Sequence, residues 1–507
     1  MKGRLLILIF VFYYSFFTLS AQREADCFAI GYCDFDPTPD CPPPYGSAIY
    51  KFNEEGIEYI EEYAHLNLST AYSRAAFSDR HTGELIFASN GWRLVNRSGQ
   101  VLAAKLYNDD IPHPGGTADT TNINNFLGPL FLNDPGDNTK AYLFYGQTLH
   151  KNYSGIGFAA LDVMFTYAYL DIPTQSLISK GNVVVNEPTA PFGGMAACRH
   201  ANGRDWWLVK LGAYLDDFYI GVLSPQGVNL QKITYPVKKD SLSGVTWTYF
   251  NQNGDKMLRF ASSYNELHVY DFDRCTGELS NLVVHDLSDS LTIDDLRDWN
   301  ACNISPDGSK FYVSRSTWGT CGTLQYDLET TKYTCITPIS TAPQLTPNYK
   351  HILLGWSEIT ANDSMCQTLS TIYEPDKPGL ECNFVLNTDT VMNFPNFLSP
   401  SCFANFRLGP LKGSPCDTIV NGMGEVKAER MKVFPNPASE WLNFKLPVNT
   451  GEIVLEVFSI SGQRVMNTTL FAPLEAIQVG HLPVGLYLLR FTDGNGQAVT
   501  QRLVLSR

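Results

Sequence analysis

The sequence predicts an all-β protein: a WD40-like β-propeller, expected to have seven blades, followed by a small Ig-like β-sandwich. Three observations predict it. A short polar turn flanked by β-rich runs recurs at blade-length intervals, and the last 77 residues fall into short runs with strand-like alternation. Composition fits as well: of 507 residues, 44% are hydrophobic and 13% aromatic, with 39 Gly and 29 Pro, enough for a large core and many turns.

Residues 1–21 read as a secretory signal peptide. Lys2 and Arg4 precede an apolar run from Leu5 to Phe17, and Thr18-Leu19-Ser20-Ala21 follows with mostly small residues. The run is shorter than the roughly 20 residues a membrane span needs. No cysteine follows it closely enough for a lipid-anchor signal, so the mature chain is expected to lack a transmembrane segment.

Residues 22–45 form a Cys/Pro-rich leader. Asp34, Asp36 and Asp40 lie there between Cys33 and Cys41. Carboxylates held in a disulfide loop can take Ca²⁺, a hard cation that prefers oxygen ligands, but a solvated leader held by disulfides is the favoured reading.

Residues 46–416 carry the repeat. Its turns are marked by Gly83, Asp137, Gly203, Gly254, Gly308 and Asn348, spaced 54, 66, 51, 54 and 40 residues apart. Propeller repeats run at roughly 40–50 residues, so the longer intervals imply loop insertions. The clearest unit is Asn303 to Cys335, with a Pro306-Asp307-Gly308 turn and strands at Lys310 to Ser314, Thr323 to Leu328 and Lys332 to Cys335. A seventh blade is expected from the two ends. Ala48 to Phe52 and Ile57 to Ile60 look like an outer hairpin with no inner strands before it, and Phe403 to Arg407 looks like the inner strand that would close the ring. Six and eight blades are the alternatives, and two stacked β-sandwiches the competing architecture.

Residues 417–430 read as a linker and 431–507 as the second domain. Leu442 to Leu446 alternates apolar and polar, Ile453 to Phe458 does so more loosely, and Ser461-Gly462 suits a tight hairpin between strands. This segment resembles the C-terminal sorting domain of the type IX (Por) secretion system. The matching residues are Val433-Phe434-Pro435-Asn436-Pro437-Ala438-Ser439, Ser461-Gly462, Gly485-Leu486-Tyr487-Leu488-Leu489-Arg490 and Arg502-Leu503-Val504. The resemblance implies a sorting signal carried by Pro435, Asn436, Pro437, Gly462, Gly485, Tyr487 and Arg490. It also implies the type IX machinery as a partner, and passage through the periplasm to the outer cell surface or the medium.

A looser resemblance covers most of Gly46 to Asp417. Asn393 to Phe397, Phe406 to Leu411, Gly413 to Asp417 and His200 to Trp207 look like segments of other secreted propellers that carry the same sorting domain. It supports the fold and implies no reaction.

Charge narrows the partners. The net charge is −14, and the last 77 residues hold six Lys/Arg against five Asp/Glu, so the acidity lies upstream. That balance argues against nucleic acid and anionic lipid, which want clustered cations. The 12 cysteines precede Met431 and include no tight CxxC pair, which in an exported chain points to disulfides. Cys321 with Cys335, Cys366 with Cys382 and Cys402 with Cys416 are the expected partners.

No compact catalytic or nucleotide-binding motif is present, and the nine histidines include no pair at zinc-helix spacing. The sequence therefore assigns no catalytic, cofactor-binding or metal-binding residue. Asp294, Asp295 and Asp298 could supply paired carboxylates for glycoside cleavage, or simply form a solvated loop. His113 sits in a loop long enough to cross a propeller face. Trp92, Trp206, Trp207, Trp247, Trp299, Trp318 and Trp356 could stack on sugars, but most are expected in the core between sheets. Two function classes follow. One is an exported propeller that binds an extracellular protein or glycan, and the alternative is an extracellular hydrolase or lyase acting on polysaccharide or protein.

Overall fold

The computed structural model describes residues 23–25, 27–31, 47–53, 56–64, 66, 68, 75–106, 128–153, 157–190, 194–235, 246–288, 302–314, 321–339, 341–356, 368–390, 403–417, 432–445, 452–459, 462–471, 474–493 and 498–506. The chain divides into two compact units, 1–418 and 419–507.

Among the described residues, the first unit is a β-propeller of seven sheets. Blade I is β1 (Cys27–Gly31), β2 (Ser47–Phe52) and β3 (Ile57–Ala64). Blade II is β4 (Ala75–Ser78), β5 (Leu85–Ser89), β6 (Leu94–Asn96) and β7 (Val101–Ala103). Blade III is β8 (Leu130–Asn133), β9 (Lys140–Tyr153), β10 (Gly157–Asp171) and β11 (Ser176–Val185). Blade IV is β12 (Met195–Arg199), β13 (Trp206–Leu211), β14 (Asp217–Ser224) and β15 (Gly227–Thr234). Blade V is β16 (Thr246–Phe250), β17 (Lys256–Ala261), β18 (Glu266–Phe272) and β19 (Leu279–Asp286). Blade VI is β20 (Cys302–Ile304), β21 (Lys310–Ser314), β22 (Thr323–Asp327) and β23 (Lys332–Thr337). Blade VII is β24 (Thr341–Leu345), β25 (Ile352–Trp356), β26 (Thr368–Ile372) and β27 (Phe384–Thr390).

Within each sheet the strands pair antiparallel in chain order, and the first strands of blades II and III, and of blades IV to VII in succession, approach one another. The six turn markers join first to second strands. Gly83, Gly203, Gly254 and Gly308 take φ of +70°, +73°, +70° and +74°, the left-handed conformation that glycine adopts without steric cost. The 66-residue interval is extra strand rather than extra loop, because β9 and β10 pair over most of their 14 and 15 residues.

Blade I corrects the sequence reading at both ends. Ser78 N donates to Glu24 O at 2.8 Å, so the chain enters β1 beside the end of β4, and β1 runs opposite to β4. The strands β1–β2–β3 thus have the polarity of second, third and fourth strands. The β2–β3 hairpin is outer, as expected, but a strand precedes it. A neighbour contact agrees. The third-to-fourth-strand turn of one blade meets the first-to-second turn of the blade before it, as in Asp307 N donating to Asp376 Oδ1 at 3.0 Å. Asn348 Nδ2 donating to Asn53 O at 2.7 Å repeats that contact between blades VII and I. Phe403 to Arg407 is not a strand, and its role is described below.

The second unit is a β-sandwich. One sheet is β28 (Lys432–Phe434), β29 (Trp441–Lys445) and β32 (Leu474–Gln478); the other, in spatial order, is β31 (Arg464–Phe471), β30 (Glu452–Ser459), β33 (Gly485–Asp493) and β34 (Ala498–Leu505). Alternation decides the faces. Leu442 and Phe444 from one sheet pack against Leu455, Val457, Leu489, Phe491 and Leu503 from the other.

Candidate functional site

Residues 403–417 form a strap across the turn face of the propeller. Phe403 packs edge-on against Tyr349 of blade VII at 5.7 Å. Asn405 Nδ2 donates to Gln252 O of blade V at 2.9 Å, and Leu411 N donates to Ala201 O of blade IV at 2.8 Å. Phe406 inserts between Phe77 of blade II, at 6.1 Å, and Trp206 of blade IV, at 4.9 Å. A Cβ at Gly203 would come within 2.6 Å of Pro410, so only glycine lets the strap lie this close.

Two arginines hold the strap from below. Arg274 Nε donates to Arg199 O at 2.9 Å and its Nη2 donates to Gly409 O at 2.6 Å. The Arg199 guanidinium lies 3.5 Å from the centre of the Trp206 ring and 5.9 Å from that of Phe406. Burial lowers its pKa to about 9, with Glu24 opposing the shift through its charge. At the end of the strap, Cys416 is disulfide-bonded to Cys275 in the β18–β19 turn, with Cα atoms 5.6 Å apart. This corrects the expected pairing of Cys416 with Cys402, which lies outside the described residues. The strap is fastened to a neighbouring blade rather than to itself. Cys321–Cys335 forms as expected, while Cys382 is a buried free thiol and not the partner of Cys366.

A pocket of about 380 Å³, counting its open mouth, lies beside Phe403 among the first strands of blades IV to VII. Ala196, Thr248, Tyr249, Asn303 and Tyr349 line it with Phe403, and among the described residues none of the lining is Asp, Glu, His, Lys or Arg. Tyr249 spends its hydroxyl on Cys302 O at 2.5 Å. Thr248 Oγ1 is buried in the wall with no protein partner, a group that a water or a ligand hydroxyl would satisfy. The pocket can hold a small neutral group, and its described lining offers no acid–base pair.

Charged groups cluster elsewhere in the propeller. Lys210 Nζ reaches Asp162 Oδ2 at 2.8 Å between blades III and IV, both side chains nearly inaccessible. His268 Nε2 lies 3.1 Å from Glu266 Oε2 in blade V. On the turn face, burial and a hydrogen bond with Asp307 raise the Asp376 carboxyl to about 6. Directly hydrogen-bonded carboxyls are too close to flank a glycosidic bond, which takes a separation of about 5 Å or more. Among the described residues no group of three or more His, Cys, Asp or Glu could hold a metal ion.

The sequence-level candidates disperse. Asp34, Asp36, Asp40, Asp294, Asp295, Asp298, His113, Trp299 and Trp318 lie outside the described residues, as does the signal segment. Trp92, Trp206, Trp207 and Trp247 are core residues. Trp206 and Trp207 face opposite ways, as their adjacency in a strand requires. Trp206 Nε1 donates to Asn133 Oδ1 of blade III at 3.1 Å, and Trp207 Nε1 to Arg274 O of blade V at 2.7 Å. The strap–arginine cluster escaped sequence reading because its members lie in four separate blades.

In the β-sandwich the expected signal residues take defined places. Pro435 and Pro437 both follow cis peptide bonds at the end of β28. Asn436 between them donates from Nδ2 to Arg502 O at 2.8 Å and accepts from Val504 N at 2.9 Å, tying the domain entrance to its last strand. Gly462 turns the β30–β31 hairpin with φ +81°. Gly485 opens β33 opposite Leu505, and Tyr487 donates its hydroxyl to Pro483 O at 2.8 Å. Arg490 points outward towards Glu456, 4.0 Å away.

Residues 432–506 match the secretion system C-terminal sorting domain family. No curated protein matches the chain. Similar solved structures include the periplasmic gluconolactonase PpgL of Pseudomonas aeruginosa, 12% identical, covering 73% of this chain and 96% of that one with TM-score 0.38. TolB of Acinetobacter baumannii is 13% identical over 69% of this chain and 78% of its own, with TM-score 0.28. The Dos1 propeller is 14% identical over 61% and 72%, with TM-score 0.30. The sorting domain implies secretion or display at the outer surface, and among the described residues no helix is long and apolar enough to cross a membrane.

Proposed function

We propose that this type IX-sorted β-propeller is a binding module for an extracellular protein or glycan. In this reading it crosses the inner membrane on residues 1–21, folds in the periplasm, and is carried across the outer membrane by residues 431–507. One observation carries the binding reading: the described residues that line the pocket beside Phe403 are all neutral. A hydrolytic site needs a positioned acid and base within reach of one substrate atom, and the neutral pocket favours contact by shape and aromatic surface instead.

The test is a paired assay on the purified chain against extracellular polysaccharides and surface proteins. The binding reading expects saturable retention with the polymer intact. Release of new reducing ends or peptide termini, in proportion to protein added, would replace it with the hydrolase reading.

A further inference from the structure

The outer face of the sorting domain's four-stranded sheet is built from two kinds of residue. Strand alternation buries Leu455, Val457, Leu489 and Leu503, which leaves Phe458, Leu486, Leu488 and Val504 on the opposite side. Leu486 is 43% exposed, Leu488 40% and Val504 39%. Register makes them one patch, since Leu488 lies opposite Phe458 on β30 and Leu486 opposite Val504 on β34. Arginines border it. Arg502 lies directly opposite Leu488, and Arg490 and Arg464 flank Glu456, at 4.0 Å and 2.7 Å. Three arginines, Glu456 and Glu452, which holds the same side of β30 by register, give this face a net charge of +1.

We infer that this face docks the sorting domain onto a folded protein of the export machinery, whose surface offers an apolar centre edged with carboxylates. The inference rests on the sorting reading above and adds the face and the chemistry of its partner. Charge selects the occupant. A second copy of the same face would bring three arginines against three, with Glu452 and Glu456 on each side too few to offset them. A bilayer interface favours Trp and Tyr at its surface, yet the exposed tryptophan, Trp441 at 52%, stands on the other sheet. An apolar centre with arginines at its border matches the usual anatomy of a protein–protein interface.

The experiment expresses the full chain in its own host and measures protease-accessible protein on intact cells. Two double variants change the face from different strands, Leu488→Thr with Arg490→Glu and Arg502→Glu with Val504→Thr, and thermal unfolding of each purified chain checks the fold. If one pair fails to fold, the other decides. Trp441→Ser serves as the control on the opposite sheet, and deletion of 431–507 tests sorting itself. The inference expects surface protein to fall at least about tenfold in a folded face variant and to hold in Trp441→Ser. Normal export of a folded face variant, with export abolished by the deletion, overturns the face assignment and leaves sorting intact. Export of the deleted chain overturns both. Binding of the full chain to phosphatidylglycerol vesicles that the same substitutions abolish, with export unchanged, assigns the face to lipid and overturns the protein partner.

Discussion

The Arg199 guanidinium stacks 3.5 Å from the centre of the Trp206 indole ring, and Phe406 closes against the same indole from the strap. A cation–π contact is worth about 2 kcal/mol or more when both groups are desolvated, and removing one buried polar partner strands the others. Arg199→Ala is therefore expected to cost about 3 kcal/mol. Thermal unfolding should show a lower midpoint, with changed tryptophan emission in the folded state. An unchanged midpoint and spectrum would mean that the arginine does not hold the mouth.

The Cys275–Cys416 bond closes 141 residues of chain at the point where the strap leaves the propeller. On the chain-entropy account such a crosslink restricts the unfolded ensemble by about 4–5 kcal/mol. Cys416→Ser should lower the propeller's unfolding midpoint and make 403–417 an early site of proteolysis. Non-reducing peptide maps should recover the Cys275–Cys416 and Cys321–Cys335 pairs. A Cys402–Cys416 peptide would contradict the strap's attachment.

Asp376 makes stability fall with rising pH between about 4 and 6, while its neighbour Asp307, lowered against burial by the hydrogen bonds it accepts, acts the opposite way below that range. The Asp376 carboxyl is raised from 3.8 to about 6, so between those values the folded chain holds a proton that the unfolded chain has lost. Its contribution is present below about pH 4 and is gone above about pH 6. Asp376→Asn keeps an acceptor for Asp307 N and removes the second charge. The variant should unfold about 2 °C or more above the parent at pH 7, and the difference should shrink towards pH 4. A difference that does not vary with pH would exclude the shared proton.

Asn436 bonds the last strand twice through its side chain. Asn436→Ala is expected to cost about 1–2 kcal/mol, and the loss should appear in the unfolding of the C-terminal unit alone. Calorimetry of the full chain would resolve it, and a lowered propeller transition would show that the two units do not unfold separately.

Local features were legible in the sequence and closure was not. The turns at Gly83, Gly203, Gly254 and Gly308 need a left-handed residue, so glycine marks them. Strands such as Lys310–Ser314 follow from their flanking turns, and Asn436 and Gly462 sit at structural joints of the sandwich. The strand Cys27–Gly31 was missed because five residues between polar segments carry no period. The role of Phe406 and the partner of Cys416 depend on contacts with Trp206 and Cys275, more than a hundred residues away, which no local pattern encodes.

The most direct test of the account is where a chain ending at Asp417 comes to rest. It retains the strap and the Cys275–Cys416 bond but lacks the linker and the sorting domain. Fractionation should find it folded, disulfide-bonded and confined to the periplasm, while the full chain reaches the cell surface or the medium. Arrival of the shortened chain at the surface in comparable amount would contradict export by the C-terminal domain.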